Sequence, residues 1–362
     1  MSALNTANTK NTNLYDLSFE ELTAFLAGQG ERPFRARQLY SWLYGKGEGS
    51  FAAMTDIPAA SRARLSETAR ADGLFLAESL ASADDSTAKY LFGTDDSHYI
   101  ETVFMKYKDR NSVCISTQVG CRMGCKFCAS GRLGLKRGLA PAEMALEVIL
   151  SEKAAGALAK NIVLMGIGEP LDNFDAVKKF IENFTDDHGR DLSRRAITLS
   201  TCGLVPGIRR LASELPQVNL AVSLHAPNDA LRREIMPVTK RYGVAEIVEA
   251  TRQHYETTHR RSTFEYTLID GFNDSPAHAR ELAALLRGMN CLVNLIPLNS
   301  GGYRGAREQS STNSSVHRGS GAETAQRFRD ILGDRGVPAT IRKSLGSDIE
   351  AACGQLRLRY ES

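Results

Sequence analysis

Six short, largely apolar runs separated by helical patterns constrain the fold of this chain more than any other feature. The runs are residues 113–116, 162–165, 196–200, 218–224, 263–269 and 292–298. Strands that alternate with helices form parallel βαβ units, and strands that are apolar throughout are buried on both faces. The pattern predicts an α/β fold, a partial (β/α)6 barrel rather than a complete eight-stranded one, with its active site at the carboxyl ends of the strands.

Changes in composition divide the rest of the chain into segments. The predicted segments are a disordered tail at 1–13, a small helical N-terminal domain at 14–88, a linking hairpin at 89–106, the core barrel at 107–342 with a mobile insertion at 300–323, and a C-terminal segment at 343–362. The tail is polar, the helical domain has apolar residues at helix spacing up to about Ala81, and the insertion is rich in Gly, Ser and Arg. We therefore expect one large domain with a smaller appendage.

Composition and charge exclude some classes of protein and leave others open. No run approaches the roughly 18 apolar residues of a membrane span, and the N-terminus lacks the pattern of a secretory signal, so we expect a cytoplasmic protein with no membrane partner. The chain has seven cysteines, an odd number that argues for a reducing compartment. Its net charge is only +3, and its scattered basic pairs fit either an RNA-binding surface or solvated helix faces.

Three cysteines stand in the spacing CxxxCxxC, at Cys121, Cys125 and Cys128. Three thiolates in one loop can hold a cubane iron-sulfur cluster and leave its fourth iron without a protein ligand, whereas a four-cysteine cluster has no open iron. Half of a zinc site is the alternative, but zinc sites need a second pair of cysteines or histidines, and the sequence offers no such pair. The spacing favours a cluster that binds a substrate or cofactor.

The same motif, with Phe127 before its last cysteine, resembles that of the radical S-adenosylmethionine (SAM) superfamily, in which the open iron chelates SAM. Four stretches resemble, more narrowly, the adenine-C2 methyltransferases of 23S ribosomal RNA, and they occur in family order. They are residues 112–121, 165–173, 223–227 and 348–356. The resemblance covers about residues 14–299 and 323–357, and it implies one [4Fe-4S] cluster and two SAM molecules per turnover.

The resemblance also implies a set of SAM-binding residues at strand ends. They are Gly168 and Glu169 for the aminoacyl end of SAM, and Ser200, Ser223, Leu224, His225 and Asn299 for its ribose, carboxylate and adenine. Each of these residues taken alone also fits an ordinary glycine turn or a polar residue at a strand end. The insertion at 300–323 departs from the family pattern and weakens the match at Asn299.

Two further cysteines carry the chemistry that the resemblance implies. Adenine C2 has no nucleophilic lone pair, so a carrier is needed in place of direct methyl transfer from SAM. By resemblance, Cys353 accepts a methyl group from one SAM, and a 5′-deoxyadenosyl radical from a second SAM abstracts hydrogen from that group, whose carbon radical adds to C2. Cys114 is implied to resolve the covalent adduct, leaving a disulfide with Cys353. Glu101 matches the family's proton acceptor, although the pattern fits an exposed strand glutamate equally well.

The partners follow from the same resemblance. We expect a monomer that acts on protein-free or early-assembly 23S ribosomal RNA with a flavodoxin or ferredoxin as reductant; a transfer RNA adenosine next to the anticodon stays open as a second substrate. The N-terminal domain is similar to a helix-hairpin-helix RNA-docking module, or it is a packing cap for the barrel. A sister enzyme that methylates adenine C8 and a non-catalytic iron-sulfur RNA-binding protein are the alternatives. Cys202 and Cys291 match no functional motif and are predicted to be buried apolar residues.

Overall fold

The computed structural model describes residues 12–132, 134–298, 318–342 and 349. The strands, β1 to β14 in chain order, are Thr12–Asn13, Ala69–Arg70, Leu74–Ala81, Thr87–Thr94, Tyr99–Lys106, Asn111–Cys114, Gln118–Cys121, Gly134–Gly138, Asn161–Leu164, Ile197–Thr201, Asn219–Ser223, Ser262–Leu268, Cys291–Pro297 and Ala339–Ile341. The helices, α1 to α10, are Phe19–Gly28, Phe34–Tyr40, Ala59–Thr68, Pro141–Ala155, Phe174–Phe184, Val205–Glu214, Asp229–Ile235, Val244–Thr258, Pro276–Leu285 and Ala322–Gly333.

Ten of the strands form one continuous sheet, in the order β14-β13-β12-β11-β10-β9-β6-β5-β4-β3. Neighbouring strands are parallel from β6 to β14 and antiparallel from β6 to β3. Because the order is linear within the described residues, β14 and β3 are edges and the parallel part is a partial barrel. The fold class predicted from the sequence is confirmed.

The six predicted core strands correspond to β6 and β9 to β13, with bounds that differ by one or two residues. A seventh parallel strand, β14, was not predicted. It pairs with β13 in a register that places Ala339 opposite Val293. The strand is only three residues long, which is too short for a periodic pattern to stand out in the sequence.

Local sequence explains where the helices around the sheet begin and end. The Glu143 carboxylate accepts the N–H of Ala140 (2.8 Å), the residue before α4, and the helix ends at Gly156 with φ of +62°. These are ordinary start and stop signals of a helix. α5 presents a buried apolar stripe to the core, made of Val177, Phe180, Ile181 and Phe184. This helical spacing buries one face of α5 and leaves the other to solvent.

The N-terminal region is helical only as far as Thr68. It contains α1, α2 and α3, and α2 continues into a π-helical turn at Ser41–Gly45. The prediction of a helical pattern to about Ala81, within a helical domain to residue 88, is wrong beyond this point, since Leu74–Ala81 is strand β3 paired with β4. The apolar residues of this stretch fit a strand as well as a helix, and pairing with β4 decides between the two.

Two predicted connecting segments also differ from the structure. Thr12–Asn13, in the predicted tail, form β1 and pair with β2, whereas residues 1–11 of that tail lie outside the described residues. The region predicted as a linking hairpin at 89–106 contains most of β4 and all of β5. Both strands belong to the main sheet, so the hairpin extends the barrel sheet instead of bridging two separate bodies.

The predicted mobile insertion at 300–323 is in part a regular structure. Gly319 bridges to Ile269, and the Ser320 hydroxyl donates to Asp274 (2.7 Å) just before α10 begins. The prediction is wrong for these last residues because they connect directly to a packed helix. Residues 299–317 lie outside the described residues, as do the C-terminal residues 343–362 apart from 349.

The N-terminal helices pack directly against the core. The Tyr40 hydroxyl donates to the carbonyl of Asn183 (3.3 Å), and the rings of Phe19 and His188 stack with centroids 3.7 Å apart. Buried residues of both regions belong to the same apolar cluster. These contacts are those expected of a packing cap. Nowhere in the described ranges is there a helix long and apolar enough to cross a membrane.

Candidate active site

The three motif cysteines lie on a small hairpin and the turn that follows it. Cys121 is the last residue of β7, which pairs with β8 outside the main sheet, and Cys125 and Cys128 lie in a turn closed by a backbone hydrogen bond between them (3.1 Å). Gly120 has φ of +79°, and a Cβ there would meet the carbonyl oxygen of Gly134 at 1.9 Å. The hairpin therefore requires glycine next to the first cysteine.

These cysteines and most of the predicted SAM-binding residues line one cavity of about 220 Å³. The predicted residues on its wall are Cys121, Cys125, Cys128, Gly168, Glu169, Ser200, Ser223 and His225. Leu224 does not join them, because its side chain is fully buried in the apolar core. Asn299 lies outside the described residues. The cavity sits at the carboxyl ends of the parallel strands, where barrels of this kind place their chemistry.

The glycine turn after β9 brings backbone close to the cluster hairpin. Gly168 has φ of +115°, and a Cβ there would lie 2.8 Å from the backbone nitrogen of Gln118 and 2.7 Å from its Cβ. A Cβ on Gly166 would meet the carbonyl oxygen of Ile115 at 2.6 Å. The next backbone N–H, that of Glu169, donates to the Gln118 side-chain oxygen (2.8 Å). Only glycines permit this approach, which fixes Glu169 at the cavity wall.

Glu169 is a buried carboxylate held by backbone groups. It accepts the N–H of Cys202 (2.7 Å) and that of Leu171 (3.1 Å). Burial raises the pKa of Glu169, and the hydrogen bonds from Cys202 act against that rise. An ionised carboxylate in such a place is stabilised by a cationic ligand. The ammonium group of an amino acid is a ligand of this kind.

His225 presents a neutral imidazole to the cavity. Its Nδ1 accepts the backbone N–H of Thr267 (3.0 Å), and burial, followed by the charge of Arg232, lowers its pKa to about 3. The proton of the neutral ring is therefore on Nε2, which is the group left to donate to a ligand. The ring of Phe127 meets it edge-on, with centroids 4.9 Å apart.

The register of the sheet places Cys114 and Glu101 on the face that lines the cavity. Ser200 lines the cavity, and Thr198, two residues earlier on β10, projects from the same face and is opposite Val163 of β9. Cys114 is opposite Val163 on one side and opposite Val103 on the other, and Glu101 is two residues from Val103. Side chains of register partners share a face, so all of these project toward the interior. Neither Cys114 nor Glu101 is among the described residues of the cavity wall itself.

Glu101 is buried, which contradicts its interpretation as an exposed strand glutamate. Only 4% of its surface is exposed, and its carboxylate lies 3.4 Å from the ammonium group of Lys89, which is fully buried. Breaking such a buried ion pair is costly because it leaves one charge without compensation. Cys353 lies outside the described residues, so its predicted pairing with Cys114 stays a prediction.

The donor set fits an iron-sulfur cluster. Burial raises the pKa of Cys121 to about 12 and raises that of Cys125 as well, so thiolates here need a cation to compensate them. Within the described part of the chain, Cys121, Cys125 and Cys128 form no disulfide, and they line the same cavity. Three free cysteines of one loop that face a common cavity fit ligands to three irons of one cubane.

Sequence reasoning missed several residues of the site. Gln118, Cys202 and Glu265 were not predicted to take part, although Cys202 and Glu265 line the cavity and Gln118 holds the glycine turn. Glu265 had a usable signal, because a carboxylate in an otherwise apolar buried strand calls for an explanation. Cys202 is buried as predicted, but it lies beside the cluster cysteines, which only the fold reveals.

Comparisons with known proteins agree with this geometry. Residues 12–71 match the family described as "Ribosomal RNA large subunit methyltransferase N-terminal domain", and residues 115–283 match the radical SAM superfamily. A probable dual-specificity RNA methyltransferase RlmN of Desulforamulus reducens is 46% identical over 98% of both chains. One of Caldanaerobacter subterraneus is 47% identical over 96% of this chain and 98% of its own. A radical SAM methyltransferase of Sphaerobacter thermophilus has a structure that superposes with a TM-score of 0.88 at 45% identity, covering 95% of this chain and 98% of its own.

Proposed function

The chain belongs to the RlmN family of radical SAM RNA methyltransferases, and we propose that it methylates C2 of an adenosine in 23S ribosomal RNA and C2 of an adenosine in transfer RNA. One observation carries the proposal. The three cluster cysteines, the Gly168–Glu169 turn and His225 line a single cavity at the strand ends. A SAM-binding cluster needs that combination of thiolates, close backbone approach and polar groups.

The residues of the cavity divide the binding of SAM among them. When bound, the [4Fe-4S] cluster supplies the electron that cleaves SAM reductively. Glu169 is placed to accept hydrogen bonds from the ammonium group of SAM, and the Nε2–H of His225 to donate one. The hydroxyls of Ser200 and Ser223 lie 3.4 Å apart on adjacent strands and suit the ribose or the carboxylate. Leu224 contributes only its backbone. Asn299 is assigned to SAM binding on the family resemblance.

The methyl carrier in this proposal is Cys353, and Cys114 resolves the covalent adduct. Support for Cys114 comes from its position at the end of β6, half-buried on the interior face of the sheet. Glu101 is the proton acceptor for C2 and lies on the same face. Its burial supports the role, because the carboxylate is held 3.4 Å from the Lys89 ammonium group on the face of the sheet that also carries Cys114.

The partners complete the proposal. The substrates are protein-free 23S ribosomal RNA and a transfer RNA with an adenosine next to the anticodon, and a flavodoxin or ferredoxin supplies the electrons. These substrates place the enzyme in the cytoplasm, where it works as a monomer. The names of the two relatives support two RNA substrates, since each is described as a probable dual-specificity RNA methyltransferase.

Nucleoside mass spectrometry tests the proposed function. The chain is expressed in a bacterial strain that lacks 2-methyladenosine, and 23S ribosomal RNA and transfer RNA are digested separately. We expect 2-methyladenosine in both pools with the wild type and with Cys291→Ala, a buried cysteine at the far end of β13, and none with Cys353→Ala. A product of 8-methyladenosine would favour the sister activity, and no methylated adenosine would contradict the proposal.

The same strain separates the two catalytic cysteines. Cys114→Ala keeps the carrier but removes the group that resolves the adduct, so it should retain RNA through denaturing electrophoresis. The crosslink should disappear in the double variant with Cys353→Ala. Loss of activity in both single variants without any retained RNA would contradict the role of Cys114.

A further inference from the structure

Arg232, on α7, is a cation with no exposed surface. Its guanidinium donates to four acceptors: the carbonyls of Cys202 (2.5 Å), Leu224 (2.9 Å) and Ser223 (3.1 Å), and the hydroxyl of Thr239 (3.0 Å). All four acceptors are uncharged. A buried charge is expensive unless a charge of opposite sign compensates it, so hydrogen bonding alone does not explain why this position is a cation.

The surroundings of Arg232 belong to the cluster site. Cys202 and Ser223, whose carbonyls it binds, both line the cavity with the cluster cysteines. The last residue of α7, Ile235, accepts the backbone N–H of Lys126 (2.9 Å), which lies between two of those cysteines. The helix that carries the cation therefore also supports the cluster loop.

The charge of Arg232 acts on the cluster ligands. Burial raises the pKa of Cys125, and the positive charge of Arg232 opposes that rise. In the other direction, burial lowers the pKa of Arg232, and Cys202, Cys125 and, to a smaller degree, Asp229 oppose that fall. The negative charge that would compensate the buried cation is thus mainly that of the cluster and its thiolates, with a smaller contribution from the Asp229 carboxylate.

We propose that Arg232 is a positioning residue whose fixed charge raises the reduction potential of the cluster held by Cys121, Cys125 and Cys128. The inference rests on the cluster of the proposed function. An oxidised cluster with three thiolates carries one negative charge, and it gains a second when it takes up one electron. A fixed positive charge nearby stabilises the reduced form more than the oxidised form. The buried cation therefore makes the one-electron reduction easier.

A redox titration of the reconstituted full-length protein tests the inference. The cluster is reduced with titanium(III) citrate, which is oxidised to titanium(IV), and the reduced fraction is followed by electron paramagnetic resonance. Arg232→Met, which removes the charge and keeps the length of the side chain, should lower the ratio of reduced to oxidised cluster at least tenfold at a fixed potential. For a one-electron couple this is a shift of about 59 mV to more negative potential.

Two controls separate charge from hydrogen bonding. Arg232→Lys keeps the charge and loses the fork of donors, and Thr239→Val keeps the charge and loses one acceptor, so both should stay near the wild-type potential. A wild-type potential in Arg232→Met would overturn the inference, as would failure of both the Met and the Lys variants to hold iron. Iron retention by the Lys variant and not by the Met variant would support it. A wild-type chain that takes up no iron would contradict the proposed function instead.

Discussion

At the scale of single residues, the site depends on positions where a side chain would not fit. Gly168 combines a left-handed backbone with contacts below 3 Å around its missing Cβ, on the side of the cluster hairpin. Any larger residue must push the glycine turn away from Gln118, and Glu169 moves with it because Gln118 holds its N–H. The position of one carboxylate is thus set by the absence of a methyl group.

Gly168→Ala should weaken SAM binding at least tenfold, or about 1.4 kcal/mol, because the turn that carries Glu169 is displaced. Isothermal titration of SAM into reconstituted protein measures the affinity, with iron content measured in parallel. Gly288→Ala is the matched control, since Gly288 also has a left-handed backbone (φ of +73°) but a Cβ added there would meet nothing within 4 Å. Equal affinities for the two variants would contradict this interpretation of the turn.

Spacing in the sequence predicted the cluster cysteines and family resemblance predicted the Gly168–Glu169 turn, and the fold brings both to one cavity. The cysteines of the cluster loop and the Gly168–Glu169 turn are contiguous in the chain, so their pattern is visible without a fold. Arg232 and Glu265 could not be assigned in this way, because their partners come from other strands and loops. In the sequence, nothing distinguishes an arginine that becomes buried from one that stays on the surface.

At the scale of elements, a buried carboxyl group joins a helix to the sheet beneath the site. Glu147 of α4 accepts the hydroxyl of Thr102 on β5 (2.5 Å) and the N–H of Ser116 after β6 (2.9 Å). The Ser116 hydroxyl in turn donates to the carbonyl of Glu101 (2.8 Å) and accepts the N–H of Ile167 in the glycine turn (3.0 Å). One network thus connects three elements that carry proposed functional residues: β5 with Glu101, β6 with Cys114, and the glycine turn with Glu169.

Glu147→Gln should make stability less dependent on pH. Burial raises the pKa of Glu147 well above its usual value of 4.5, so its contribution is complete below pH 4.5 and is lost as the pH rises toward the folded-state pKa. The neutral amide avoids this loss. Relative to the wild type, the variant should therefore gain up to about 1.4 kcal/mol per pH unit.

Urea unfolding of the metal-free protein between pH 5 and pH 8 measures this difference. Glu246→Gln, at an exposed position on α8, is the control and should show a constant difference from the wild type. A Glu147→Gln curve that runs parallel to the wild type across this range would contradict the raised pKa.

Element prediction succeeded where a strand was long and its neighbours were helices, as for β12 and β13. It failed at Leu74–Ala81, whose apolar residues fit both a helical and a strand periodicity. It also failed at β14, which has too few residues to show a periodicity. In both places pairing with a neighbouring strand decides the structure. The neighbouring strand belongs to another part of the chain, so the local sequence does not reveal the pairing.

At the scale of the whole molecule, a cavity of about 220 Å³ admits no helix of RNA, so we expect the target adenosine to reach it as a single extruded base. An adenosine must leave its stack to bring C2 to the strand ends, and that costs least where the nucleotide is unpaired and accessible. The net charge of +3 gives no strong attraction to phosphates overall, so binding depends on local basic clusters.

Protein-free 23S ribosomal RNA should therefore be methylated in preference to assembled ribosomal subunits, and binding should fall steeply between 50 mM and 200 mM salt because phosphate contacts release counterions. Initial rates on the two substrates and filter binding across salt concentrations measure these effects. Cys353→Ala should bind RNA with the same salt dependence while producing no methylation. Equal rates on naked RNA and on intact subunits would contradict the prediction.

The linear order of the sheet sets a length requirement for the chain end. Arg342 follows β14 at one edge of the parallel strands, and Cys114 ends β6, six strand spacings away, or about 29 Å along the sheet. Cys353 is eleven residues beyond Arg342, a contour of about 38 Å at full extension. Because the sheet curves into a partial barrel and Arg342 already lines the cavity, the straight path is shorter than this arc, so the tether of the proposed carrier is long enough to cross the barrel mouth. Only deletions between Arg342 and Cys353 that leave the tether shorter than this path would keep the methyl group from reaching its acceptor.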